Sequence, residues 1–345
     1  MKQAKSDPTS GEDTLTEAYN EVEDIIKGEI TPELVHLADD IYMYMGKLGL
    51  EKRISLHRRY LDVAPDNKER FWSHWHLVDS LAVLQRNRET VEEQSRLYRW
   101  TCEHLSDEYV LEALYDTTQA ACWKGEGRID EWFQLYSEAS KRLGNPEVSR
   151  LKHCLFLQAG AEVSMSNDRL DEALLGIEKL ECSNSDPGWD HYLRFWLAVR
   201  TNRLLVYSKQ EDWDRFNQVV TEASTFIEGE VEKQNTGSPV NLGDLTWVAH
   251  DIGYCLIWSK KYNEAKRFLQ VAIDSGNGAW SHFYFAVSIW ASEKNRETTL
   301  HHLKVAQDIV LNALNRDMYH QTFLETPEFS DVKDDKEFLK VLGQK

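Results

Sequence analysis

Between Leu242 and Asp274 the chain reads LGDLTWVAHDIGYCLIWSKKYNEAKRFLQVAID, with a glycine in the middle of its first apolar stripe. Ala249, Ile252, Gly253 and Leu256 fall at i, i+3, i+4 and i+7, one face of a helix. Tyr262, Ala265, Leu269 and Ala272 follow a similar helical spacing after a Lys260-Lys261 turn. Glycine inside a helix costs about 1 kcal/mol against alanine, so a side chain must be unwelcome at 253. The usual reason is a second helix packed very close, and Ala265 is a small residue on the facing helix. The segment is thereby constrained to a tight pair of antiparallel helices.

The same periodicity runs through most of the chain. Only 7 Pro and 17 Gly interrupt 345 residues, which favours long helices over sheets full of turns. Residues 1–12 are polar and read as disordered. Residues 13–66 read as three N-terminal helices. The first follows the Thr14-x-x-Glu17 capping box. The second is capped by Thr31 with Pro32 at its first position and is ended by Gly46 and Gly49, and the third covers about 51–63. From 67 to 315 a two-helix unit recurs. Its second helices are read in 87–104, 127–144, 167–181 and 211–224, and its first helices in 69–85, 108–123, 147–165 and 189–208. The positions matching Ala265 are Glu93, Trp132, Ala173 and Phe216, spaced 39 to 49 residues apart. The polar stretch 228–243 reads as the one long loop. After the anchor pair, 279–294 and 297–314 form another, and 316–345 closes the chain.

This small-and-large pattern resembles the tetratricopeptide repeat, most specifically over 240–343. Ile252-Gly253 takes the Leu-Gly place, Leu256 the Tyr place, and Ala265, Leu269 and Ala272 the Ala, Phe and Ala places. Pro327-Glu328-Phe329 and Asp335, Phe338 and Leu342 resemble the segment that caps the last helix pair in such proteins. The resemblance implies an all-α, right-handed α-solenoid of about seven antiparallel helix pairs with a C-terminal cap.

Chemistry is sparse. His74 and His76 lie two apart, about 200° around a helix, and Cys102 and His104 diverge for the same reason. His36 and Asp40 are correctly spaced for a metal, but two ligands make no site. No nucleophile elbow or phosphate-cradling glycine loop occurs, so neither metal, cofactor nor catalytic residue is expected. Lys52, Arg53, Arg58 and Arg59 form the only basic cluster and read as a solvated helix face. The formal charge of -18 argues against nucleic acid and anionic membrane as partners. Five cysteines without short spacing, no apolar leader and no span of 18 apolar residues place the chain in the cytoplasm, as an acidic protein.

Aromatic residues carry the functional reading. Trp247, His250, Tyr254 and Trp258 fall at about 0°, 300°, 340° and 20° around one helix, opposite the face of Ala249, Ile252, Gly253 and Leu256. In the resembled family, first helices line the concave groove that holds a ligand. The resemblance therefore puts this stripe in the groove, with Trp258 near the helix end as a packing residue. The alternative is that neighbours bury the stripe as core. The clamp of Lys, Asn and Arg found in chaperone-tail-binding relatives is absent. Its places are held by His250 and Tyr254 here, and by Thr117, Ala121, Gln158 and Glu162 in weaker repeats. Trp247, His250, Tyr254, Thr117 and Gln158 are the candidate partner-binding residues of a non-catalytic scaffold for a protein or peptide. Two alternatives are a signalling-peptide receptor resembling the bacterial Rap-like regulators, and an enzyme whose site is assembled across helices.

Overall fold

The computed structural model describes residues 30–43, 45–235, 242–276, 278–310 and 313–342. Among them all regular structure is helical. The helices are α1 (Pro32–Tyr42), α2 (Gly46–Tyr60), α3 (Asn67–Val83), α4 (Asn87–His104), α5 (Asp107–Glu112), α6 (Thr117–Gly125), α7 (Ile129–Ser140), α8 (Arg150–Ser166) and α9 (Leu170–Ser183). They continue as α10 (Tyr192–Lys209), α11 (Trp213–Asn235), α12 (Leu242–Trp258), α13 (Tyr262–Asp274), α14 (Ala279–Glu293), α15 (Arg296–Ile309), α16 (Ala313–Glu325) and α17 (Lys336–Val341), with a 3₁₀ turn at Pro327–Phe329 before the last. The helix expected after Thr14 lies outside the described residues.

The helices form antiparallel pairs, and the turns inside the pairs share one geometry. A residue with positive φ stands two positions before each second helix: Gln85, Gly127, Asp168, Glu211, Lys260 and Lys294. In the first five turns the next residue's N–H reaches back five residues, as in Arg86 to Leu81, Arg169 to Ser164 and Lys261 to Leu256. This is the bond that satisfies a helix's last carbonyls when its C-terminus turns left-handed. Five residues beyond each such position comes a fully buried one: Thr90, Trp132, Ala173, Phe216, Ala265 and Thr299. The register expected for α4 is thereby corrected, because the buried position is Thr90 and not Glu93. Glu93 faces outward enough to pair with His74 and Arg96.

Close packing explains Gly253. A Cβ there would lie 2.6 Å from Leu269 Cγ and 2.9 Å from its Cδ2. The partner is thus Leu269 of α13, one turn beyond Ala265. Ala249, Ile252, Leu256, Ala265, Leu269 and Ala272 are all buried in one core. At the C-terminal end, Phe329 and Phe338 are buried against Phe323 and Trp290, and Asp335 caps α17 by accepting the Glu337 and Phe338 N–H groups.

The structure revises several boundaries. Gly46 opens α2 at φ +61° and Gly49 lies inside that helix, where a Cβ would strike the Tyr42 carbonyl. The helix expected over 108–123 is broken at 113–116, because Asp116 starts a new one by accepting the Thr118 and Gln119 N–H groups. The expected loop 228–243 is helical as far as Asn235. Ile227 and Val231 prolong the apolar stripe of α11 by another turn onto the core, so the polar composition did not end the helix. Residues 297–314 are divided between α15 and α16.

Of the described residues, those up to 159 with 313–314 form one compact unit, and those of 160–310 with 315–342 another. Across residue 66, α2 packs on α3.

Candidate binding face and a buried charge centre

In the second unit, α12 and α14 are neighbouring first helices, and their aromatic side chains meet on a shared face. Tyr254 lies against Tyr284 at 4.7 Å between ring centroids, and His250 against Tyr284 at 5.8 Å. Trp280 stacks on Tyr284 at 6.1 Å. The strip ends in Trp247, edge-on to His250, and Trp258, edge-on to Tyr254. Its middle is part of the fold. His250 is buried, and its Nδ1 lies 2.7 Å from the Ser281 hydroxyl. Burial lowers the His250 pKa to about 4, so the ring is neutral. The ends are different, with Trp247 62% and Trp258 64% exposed. Trp258 is therefore not the packing residue expected: at the last residue of α12 most of its ring is open to solvent.

One member of the stripe escaped the sequence reading. Asp251 stands at about 40° on the same wheel, within a turn of both Trp247 and Tyr254. It is half-buried and makes no hydrogen bond or ion pair among the described residues. Burial first, and the nearby Glu162 carboxylate second, push its pKa up to about 6. Trp280 and Tyr284 were also missed, although their i, i+4 spacing on α14 was a readable sign.

Thr117 and Gln158 belong to the first unit. Thr117 is the first residue of α6 and Gln158 lies within α8, both half-buried. Neither carries an aromatic strip like that of α12.

The first unit has a buried ionic centre instead. Arg53, from the cluster expected to be solvated, is 3% exposed. Its guanidinium bonds Asp39 through Nε and Nη2, Asp79 at 2.6 Å and the Ser80 hydroxyl at 3.1 Å, with His76 Nδ1 also in contact. The helical pitch explains the correction, since Arg53 shares the inner face of α2 with Leu50, Ile54 and His57, all buried, while Arg58 and Arg59 face outward. His57 Nε2 lies 2.7 Å from Asp39 Oδ1, and its Nδ1 lies 3.1 Å from the Ser73 hydroxyl. Burial raises the Asp39 pKa, but hydrogen bonds from His57 and Arg53 outweigh it and hold the carboxyl well below its usual range. Burial lowers His57, and lowers His76 to about 4. Asp39, His57 and Ser73 have the connectivity of an acid–base–nucleophile triad. Ser73 is 2% exposed, so no substrate carbonyl reaches it, and the three act as a polar pin between α1, α2 and α3. Among the described residues no group of three or more His, Cys, Asp or Glu is arranged to hold a metal.

Between α2, α3 and α4 lies a cavity of about 440 Å³, lined by Arg58, Arg70 and Arg96, by the carboxylates of Asp62 and Glu93, and by His74 and Trp100 among others. Arg58 pairs with Glu89 and Arg96 with Glu93. Arg70 sits 5.6 Å over the Trp100 ring and has no carboxylate partner among the described residues.

No family model matches the chain, and no curated protein matches it. Among solved structures it is similar to the human IFIT1 dimer with m7Gppp-AAAA, at 15% identity and a TM-score of 0.47 over 97% of this chain and 73% of that one. It is similar also to the human IFIT1 dimer with PPP-AAAA, at 16% identity and a TM-score of 0.46 over 95% and 72%. These structures hold capped or triphosphate RNA, and on that finding the expected exclusion of nucleic acid is corrected. The flaw in that expectation is physical: a net charge is an average over the chain, and three arginines can share one cavity within an acidic protein.

Proposed function

We propose that this chain is a non-catalytic, cytoplasmic helical-repeat scaffold that holds a segment of a protein partner on the aromatic face of α12 and α14. The observation that carries this reading is the exposure of Trp247 and Trp258 at the ends of a strip whose centre is packed. A fold gains little from indoles left in water, while a partner that covers them gains the large apolar area typical of binding hot spots. All five cysteines are free, in keeping with a reducing compartment. No described helix is long and apolar enough to cross a membrane.

The test begins with co-purification from the native source to identify the partner. Calorimetric titration of its recombinant segment follows. The Trp247→Ala, Trp258→Ala double variant should bind about thirtyfold more weakly, the equivalent of a 2 kcal/mol hot spot. Equal affinity of wild type and variant would remove the site.

A second reading rests on the arginine cavity of the first unit. Arg70 over Trp100, with Arg58, Arg96 and His74 around it beside Asp62 and Glu93, offers a phosphate-bearing ligand one cation without a carboxylate partner among the described residues. Fluorescence anisotropy with PPP-AAAA would show binding that Arg70→Ala weakens and that falls with salt. No binding by the wild type at low salt excludes it.

A further inference from the structure

We infer that the face of α12 and α14 recognises a cationic side chain, an arginine or lysine of the partner segment, seated between Trp247 and Trp258 against Asp251. The inference rests on the proposed binding role of this face and adds the chemistry of its occupant. Three observations converge. First, the two exposed indoles flank Asp251 along α12, at i−4 and i+7 from it. Second, this half-buried carboxylate lacks any hydrogen-bond or ion-pair partner among the described residues, an arrangement that costs free energy in the unoccupied protein. Third, every other titratable group that acts on Asp251 is acidic or neutral: Glu162 from α8, and Tyr254 and Cys255 on its own helix. Aromatic faces carry negative charge density and attract cations. The surroundings of Asp251 thus complement a positive charge and disfavour a carboxylate or phosphate. A guanidinium fits best, because it stacks flat on an indole while donating two parallel hydrogen bonds to a carboxylate.

An ionised Asp251 destabilises the fold. Its folded pKa of about 6 lies above the ordinary carboxylate value, so the folded state holds its proton more tightly than the unfolded chain. That unfavourable contribution is fully present above pH 6 and fades as pH falls through 6 toward 4. A residue that weakens the fold without contacts of its own is what a ligand-binding group looks like.

The test uses the full chain labelled with 5-fluorotryptophan, the resonances of Trp247 and Trp258 being assigned by single substitution to Phe. The probes are a blocked peptide of alternating Arg and Ser and its citrulline counterpart, which keeps the shape and loses the charge. At pH 7.5 the arginine peptide should shift both resonances and bind at least about tenfold more tightly than the citrulline peptide. Asp251→Asn should abolish that preference while raising the melting temperature at pH 7.5, a gain that vanishes near pH 4. A merely structural aspartate would instead lower the melting temperature when replaced. Equal binding of the two peptides, or an arginine preference that survives Asp251→Asn, overturns the inference and leaves the binding face standing. A shift of these resonances by m7Gppp-AAAA but by neither peptide overturns it too. The binding face itself is tested separately, by whether Trp247→Ala, Trp258→Ala leaves partner affinity unchanged.

Discussion

The first unit sets an ionic centre, Arg53 held among Asp39, Asp79, Ser80 and His76, inside an apolar core of its own, whereas the second is filled by Phe, Leu, Ile and Ala with aromatic rings along one face. Both are built from helix pairs with the same left-handed turn and the same buried position five residues later. The turn therefore sets the pairing, and the interior is free to vary in chemistry. The two interiors should also fail differently. A buried ion pair contributes little against a hydrophobic isostere, yet losing one partner strands the others. An apolar core loses stability in proportion to the atoms removed or the strain imposed.

The largest expected effect follows from that contrast. Arg53→Met should destabilise the first unit by about 3–5 kcal/mol, because Asp39 and Asp79 are left without their shared cation. Adding Asp39→Asn and Asp79→Asn should recover much of the loss. Chemical denaturation of the single and triple variants measures both. If Arg53→Met alone unfolds like the wild type, the ionic centre does not hold the unit.

In the second unit, Gly253→Leu should cost about 1–3 kcal/mol by overpacking, since even a Cβ meets Leu269 below 3 Å. Ala265→Asp places a carboxylate at a fully buried position and should cost as much or more. Wild-type denaturation midpoints in both variants would show that α12 and α13 do not pack as described.

The same contrast governs what the sequence reveals. The α12–α13 pair could be read to its ends, because Gly253 and the 3.6-residue stripes on both helices leave one solution. The α4 register could not, since Thr90 and Glu93 share a helix face and only the tertiary partner shows which is buried. The left-handed turns were also hidden. Glycine advertises such a conformation, but five of the six are filled by Gln, Asp, Glu or Lys, which adopt it only because the closing bonds hold them there. Arg53 was misread because it belongs to a run of basic residues, and composition cannot tell which member points inward. Trp247 was readable as a stripe member. Asp251 was not, because an acidic residue on an aromatic stripe has meaning only once its lack of partners is visible.

The turns offer a smaller effect that the two units should share. Gln85→Gly in the first and Lys260→Gly in the second each relieve a positive φ of 55° and 57°. Each should raise stability by up to about 1 kcal/mol, by similar amounts in the two units. Calorimetric melting of the two variants would sharpen the comparison, and a gain confined to one unit would show that the turns are not equivalent.

The exposed ends of the aromatic strip are proposed to serve a partner and not the fold. The most direct test is the melting temperature of the Trp247→Ala, Trp258→Ala double variant, set beside Tyr254→Ala, whose ring is packed on Tyr284. The double variant should stay within the about 0.5 kcal/mol per site expected of surface changes, while Tyr254→Ala loses measurably more. A loss of about 3–5 kcal/mol in the double variant, the range of large-to-small core substitutions, would place both tryptophans in the core and contradict the proposal.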